Sequence, residues 1–192
     1  MKIILASASP RRLEILTAHG ITPVVLPADV DESLPDELLN KPAEATMYLA
    51  SLKSRAVYSS IGAPEQAVII GADTIVYKDK IIGKPVDADD AFAILSSLRS
   101  AKHSVITGVS LIDLSNGKET VFYDETIVTF KDYPDEEIRR FVLEEPPYDK
   151  SGSYAIQSSW SKNIASVEGD IENVIGFPWT KISMYLNSGS PK

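Results

Sequence analysis

Apolar and polar positions along the 192-residue chain alternate between short strand-like runs and longer helical stretches. Lys2 to Ala6 predicts a strand that feeds directly into a helix from near Ser9. Ser9 suits the cap, Pro10 the first turn, and Gly20 the stop. Thr22 to Pro27 predicts a second strand, followed by an acidic loop with Asp29, Asp31 and Glu32. Between Pro42 and about Ser60, the spacing of Met47, Leu49, Ala50, Leu52 and Val57 predicts a long helix. Residues 67–77 (AVIIGADTIVY) form an apolar run interrupted only by Gly71, Asp73 and Thr74, and a turn at 78–80 makes a hairpin with Ile81 and Ile82. Asp87 caps a helix to about Leu98. Two long strands near 103–114 and 119–130 are joined by a Ser115-Asn116-Gly117 turn. A helix starts at Pro134, a short apolar strand at 154–157 ends in Gln157, and a last helix follows Pro178, with the chain fraying at Ser188. Strands and helices alternate early and an antiparallel meander follows, so the fold class is mixed α/β. No repeat, low-complexity tract or clean linker divides the chain, and a single domain over 1–192 is expected.

Composition narrows the chemistry. Hydrophobic residues make up 44% and charged residues 24%, as in ordinary globular domains. The net charge of -8 argues against a non-specific nucleic-acid or acidic-membrane binder, so an anionic ligand needs a local cluster of cations. There are no cysteines, which removes disulfides, thiolate metal sites and a Cys nucleophile. Two histidines, His19 and His103, are too few for a His-rich zinc site. A participating metal is therefore expected to be a hard ion on carboxylates, Mg²⁺ or Mn²⁺. The opening MKIILA run is too short for a signal peptide, and no apolar stretch approaches ~18 residues, so a cytoplasmic protein without a membrane partner is expected.

Three local signals carry candidate chemistry. The first is LASASPRR (5–12). Three other predicted helices begin with acidic residues: Glu44, then Asp89 and Asp90, then Asp135, Glu136 and Glu137. The first instead places Arg11 and Arg12 there, at a cost of about 0.3–1 kcal/mol per charge unless an anion compensates. With the hydroxyls of Ser7 and Ser9, this turn reads as a phosphate cradle. Two solvated arginines beside a Ser-Pro cap is the alternative. The second signal is Asp73, with Thr74 beside it, inside an apolar run: a carboxylate there is paired, metal-bound or functional. The third is a set of aimed polar groups, namely Lys53, Lys84 in Gly-Lys-Pro, Lys150 and Gln157. Each taken singly also reads as ordinary surface chemistry. His103 and the two tryptophans, Trp160 and Trp179, read as packing residues.

In order along the chain, LASASPRRLEIL (5–16), VDES (30–33), ASLK (50–53), GADTIV (71–76), IIGKP (81–85), HSVITGV (103–109), DKSGSYAIQ (149–157) and GDIENVIGFP (169–178) resemble the Maf family of nucleoside triphosphate pyrophosphatases, also known as septum formation inhibitor proteins. The resemblance implies a bent, elongated mixed sheet flanked by helices, with two lobes around a deep cleft as in inosine triphosphate pyrophosphatases. It implies cleavage between the α- and β-phosphates with a divalent metal. Pro10-Arg11-Arg12, Ala72-Asp73-Thr74 and Gln157 fall with the dTTP/UTP branch, which ties Arg11, Thr74 and Gln157 to substrate choice. A pyrophosphatase for another base, such as 7-methyl-GTP, and a nucleotide-binding regulator of septation are the alternatives. Ser151, Ser153, Ile171-Glu172 and Phe177 depart from the family pattern near the region of base recognition. On this reading Asp73 is the general base or a metal ligand, with Glu32 as a second ligand. Arg11, Arg12, Lys53 and Lys84 neutralise the triphosphate, and Gln157 with Thr74 reads the pyrimidine. The expected partner is the nucleotide substrate, with a homodimer as the candidate assembly.

Overall fold

The computed structural model describes residues 2–61 and 66–188. Its elements in chain order are β1 (Lys2–Leu5), α1 (Pro10–Ala18), β2 (Val24–Val25), α2 (Pro42–Ser60), β3 (Ala67–Lys78), β4 (Lys80–Ile82), α3 (Ala88–Leu98), β5 (Lys102–Asp113), β6 (Lys118–Phe130), α4 (Asp135–Glu144), β7 (Ile164–Glu168), α5 (Ile171–Ile175) and α6 (Trp179–Ser188). Seven strands form one mixed sheet in the order β2-β1-β3-β5-β6-β7, with β4 also on β3. The fold is mixed α/β, as the sequence pattern predicts. The fraying expected past Ser188 lies outside the described residues.

Register explains where the sheet opens. One long edge of β3 pairs with β5 without a break over residues 68–77. The other edge pairs with β1 only at residues 67–70, in parallel, and with β4 only at 76–78, antiparallel. Residues 71–75 are left between these two partners. Because β1 is parallel and β4 antiparallel to β3, the carboxyl ends of both point into this gap. The turn after β1 and the Gly83-Lys84 loop after β4 therefore meet there, the location where open α/β sheets place ligands.

Each end of the long strands has its own core. Val76, Ile82, Val105, Val128, Phe130, Phe141 and Trp160 pack at one end with α3 and α4. Ile3, Leu5, Leu16, Ile70, Val109, Leu111 and Phe177 pack at the other with α1 and α6. The gap in β3 pairing lies between these two lobes. Helix α2 crosses the opposite face of the sheet with its backbone almost touching it. A Cβ on Gly71 would lie 2.3 Å from the Ala50 carbonyl oxygen, and one on Gly108 would lie 2.3 Å from the Thr46 carbonyl carbon. The close approach that Gly71 permits is that of a helix.

Two expected strands differ. Thr22–Pro27 shrinks to Val24–Val25, because Pro23 and Pro27 bound it and cannot donate to a ladder. Residues 154–157 form no strand. A 3₁₀ turn at Ser151–Ser153, with Gly152 at φ 74° and Ser153 at φ 61°, redirects the chain. Tyr154 is driven into the core and Gln157 ends in an exposed turn. The sequence analysis also missed β7 and α5.

His103 is a core residue. Its Nε2 shares a 2.7 Å hydrogen bond with the Tyr154 hydroxyl, and its ring packs edge-on to Phe130 and Tyr154. Burial, helped by the nearby Lys78 charge, lowers its pKa to about 4 from 6.5. The folded state thus holds His103 neutral while the unfolded chain takes a proton between these values. Stability is full above about pH 6.5 and falls as the pH drops toward 4, by about 2 kcal/mol between pH 7 and 5. Urea denaturation at these two pH values should show that decline in the wild type and little of it in His103→Gln. An equal decline in both would contradict this assignment.

Candidate functional site

The gap in β3 pairing opens into a cavity of about 640 Å³, within the range of small-molecule pockets. Ser7, Ser9, Arg11 and Arg12 reach it from the β1–α1 turn, Glu32 from the acidic loop and Lys53 from α2. Asp73 and Thr74 come from β3, Lys84 from the loop after β4, and Gln157 from the turn after Tyr154. The structure thus brings these ten residues, and Lys150 with them, to one lining, although they are separated by up to 150 positions in the chain.

Asp73 lies at the unpaired stretch of β3, two residues after Gly71. The contact of Gly71 with Ala50 and Ser54 sets α2 so that Lys53, between them, faces Asp73. Lys53 Nζ donates to Asp73 Oδ1 at 2.6 Å and lies 3.1 Å from Glu32 Oε1. Lys53 and Asp73 are both nearly buried, so neither charge would be tolerated there without the other. Glu32 is about half exposed and closes the pair from the solvent side.

Thr74, the next residue, serves the opposite face. Its hydroxyl lies 3.0 Å from the Thr107 hydroxyl, which donates to the Asn173 carbonyl in α5. Arg12 joins the same network. Its Nε donates to the Gly176 carbonyl at 2.9 Å, Nη1 to the Ser7 hydroxyl at 2.9 Å and Nη2 to the Thr74 hydroxyl at 3.3 Å. Burial pulls the guanidinium below its ordinary pKa, with the Asp73 charge opposing. Three of its five N–H groups thus tie α1, β3 and the end of α5 together. Ser9 occupies the cap position of α1 but its side chain makes no capping bond; the Ser9 N–H donates to Ser7 Oγ instead.

Arg11 points to the cleft mouth, where Nη1 lies 3.3 Å from Asp149 Oδ2. Lys84 is held near Lys150, because the Gly152 N–H donates to the Gly83 carbonyl at 3.1 Å. The sequence reasoning missed Asp149, and it missed the Thr107–Asn173 support. A carboxylate next to a lysine in a loop gives no pattern signal, whereas α5, though missed, carries one. Asp170 accepts from the Glu172 N–H at its start and Gly176 adopts a left-handed conformation at its end, an N-cap and C-cap pair around a short helix.

A cleft between two lobes, lined by clustered cations around a buried carboxylate, has the size and the charge to accept a small polyanion. The sequence matches the family described as Maf-like protein over residues 2–188, and the chain belongs to that family. It is 40% identical over 187 residues to a protein of Alkaliphilus oremlandii named dTTP/UTP pyrophosphatase, covering 97% of this chain and 95% of that one. A protein of Caldicellulosiruptor saccharolyticus with the same name is 38% identical, covering 96% and 93%. A solved structure from Mycobacterium abscessus, titled nucleoside-triphosphatase / dITP/XTP pyrophosphatase, bears a loose likeness: TM-score 0.41 and 17% identity over 70% of this chain and 75% of that one.

Proposed function

We propose that this chain is a nucleoside triphosphate pyrophosphatase that cleaves dTTP and UTP between the α- and β-phosphates, giving the nucleoside monophosphate and pyrophosphate. The observation that carries it is the convergence of Arg11, Arg12, Lys53 and Lys84 around Asp73 in one cavity. The names of the full-length relatives support the reaction and the bases. A triphosphate carries about four negative charges, which must be neutralised before a nucleophile can approach. Arg11, Arg12 and Lys84 do this from the strand ends. Asp73, its Oδ1 held by Lys53, uses Oδ2 to take a proton from the attacking water. The water oxygen bonds to the α-phosphorus as the bond to the bridging oxygen breaks, and pyrophosphate leaves with that oxygen and its electron pair.

A divalent ion fits this donor set. Among the described residues no group of three or more acidic or histidine side chains is placed to hold a metal, so there is no closed protein cage. Asp73 and Glu32 nevertheless converge on one positive centre, the Lys53 ammonium. Two carboxylates with phosphate oxygens completing the shell is the arrangement Mg²⁺ favours. Asp73, as a ligand in place of its proton-accepting role, and Glu32 would hold the ion, which would add charge neutralisation and lower the pKa of bound water.

Gln157 is assigned to the base. Its carboxamide carries both a donor and an acceptor, matching the adjacent N–H and carbonyl of thymine or uracil. Thr74, whose hydroxyl is engaged by Arg12 and Thr107, supports the pocket wall from β3. Pyrophosphate release from a panel of nucleoside triphosphates should favour dTTP and UTP. Gln157→Ala should lower kcat/KM for these two by roughly tenfold or more while sparing other bases. An equal loss on every nucleotide would remove Gln157 from base reading, and a preference for another base would overturn the pyrimidine assignment.

A further inference from the structure

Asp149 and Lys150 line the cleft mouth and have no part in the chemistry above. Asp149 bridges two cations: Oδ2 lies 3.3 Å from Arg11 Nη1, and Oδ1 accepts from Lys150 Nζ at 2.6 Å. The link spans the gap in β3 pairing, joining α1 on the β1 side to the loop docked on the β4 side. That loop has a fixed backbone. The Lys150 N–H donates to the Pro147 carbonyl at 3.0 Å and the Ser151 hydroxyl to the Thr74 carbonyl at 3.4 Å. Gly152 sits so close to Val76 that a Cβ would lie 2.7 Å from its Cγ2. Lys150 and Lys84 therefore enter the cavity from backbones bonded to each other. Asp149 differs from both cations it holds: its side chain is 64% exposed, against 27% for Arg11 and 23% for Lys150.

The charges of the lining say what this bridge does. Five cations, Arg11, Arg12, Lys53, Lys84 and Lys150, face three carboxylates, Glu32, Asp73 and Asp149. Glu32 and Asp73 are both engaged by Lys53. Among the described carboxylates, Asp149 alone covers Arg11 and Lys150. An ion pair with so exposed a carboxylate is held weakly, whereas phosphate oxygens form stronger charge-assisted bonds and bring more charge. A polyphosphate entering the cleft can thus replace Asp149 on both cations, and the carboxylate has solvent to move into.

We propose that Lys150 is a further polyphosphate-binding residue and that Asp149 is its displaceable counter-ion, holding Arg11 and Lys150 in place across the cleft and moderating how tightly they grip the phosphates. This rests on the nucleoside triphosphate reading for its substrate, but binding of a polyphosphate tests it without turnover. Calorimetry with inorganic tripolyphosphate should show three- to tenfold tighter binding to Asp149→Asn than to the wild type. Lys150→Met, which keeps the aliphatic stem, should bind roughly tenfold or more weakly, and Lys150→Arg should restore binding. KM for dTTP should move in the same directions with kcat within threefold. A purely structural role for Lys150 would not produce rescue by arginine together with a shift confined to KM. Weaker or unchanged binding in Asp149→Asn, or wild-type binding in Lys150→Met, overturns the proposal. If the binding shifts appear but no nucleoside triphosphate is hydrolysed by the wild type, the subsite stands and the pyrophosphatase reading falls. If the wild type hydrolyses dTTP and both variants bind tripolyphosphate like the wild type, only the subsite falls.

Discussion

Asp73→Asn is expected to lower kcat for dTTP by at least about a hundredfold, the range in which a general base or an activated water contributes. Nucleotide binding should survive. The substitution preserves shape and removes one negative charge from the lining, so Lys53 is freed toward the phosphates while Glu32 remains within 3.1 Å of its ammonium. The affinity for dTTP, measured by calorimetry, should therefore hold or tighten as turnover disappears. This split matters because a folding defect would reduce both. Turnover within threefold of the wild type would take Asp73 out of the chemistry, whichever role, proton acceptor or metal ligand, is assigned to it.

Gly108→Ala is the second large effect, and it acts through packing. Gly108 is the β5 residue paired with Asp73 in the ladder, and α2 lies directly on it. An added Cβ would lie 2.3 Å from the Thr46 carbonyl carbon and 2.4 Å from the Met47 nitrogen. Both are helix backbone atoms, so no side-chain rotation relieves the clash and α2 has to lift from the sheet. We expect a loss of about 3 kcal/mol or more, at or beyond the upper end of ordinary overpacking. Activity should fall as well, because α2 carries Lys53 to Asp73. Gly83→Ala is the control: nothing lies within 4 Å of its added Cβ, and its stability should change by less than about 0.5 kcal/mol. Thermal and urea denaturation of the two variants provides the comparison. Similar stabilities would mean that α2 does not sit on the sheet as described.

The same contacts show which parts of the molecule could be seen in the sequence. The long helix 42–60 and the strands around 67–78, 102–113 and 118–130 were legible because periodicity, caps and turn residues agree there. The 154–157 segment was not, since its apolar run is overridden by two residues in the left-handed region just before it. The site was legible as residue types: an apolar strand broken by Asp73, a helix opening with two arginines, a lysine between Gly and Pro. Their convergence was not, because it depends on β3 having two short partners on one edge, and register is a tertiary property. Arg12 shows the difference most clearly. Its placement at the start of α1 suggested an anion, yet most of its bonding goes to Gly176, Ser7 and Thr74. Part of the charge that breaks the helix-end preference is thus spent on joining the two ends of the chain around the cleft.

The most direct test of this account is to identify the products of dTTP incubated with the protein and Mg²⁺. Cleavage at the α–β bond predicts dTMP and pyrophosphate in equal amounts, with no dTDP at any time point. Formation of dTDP and inorganic phosphate, or no consumption of dTTP or UTP at all, would contradict it.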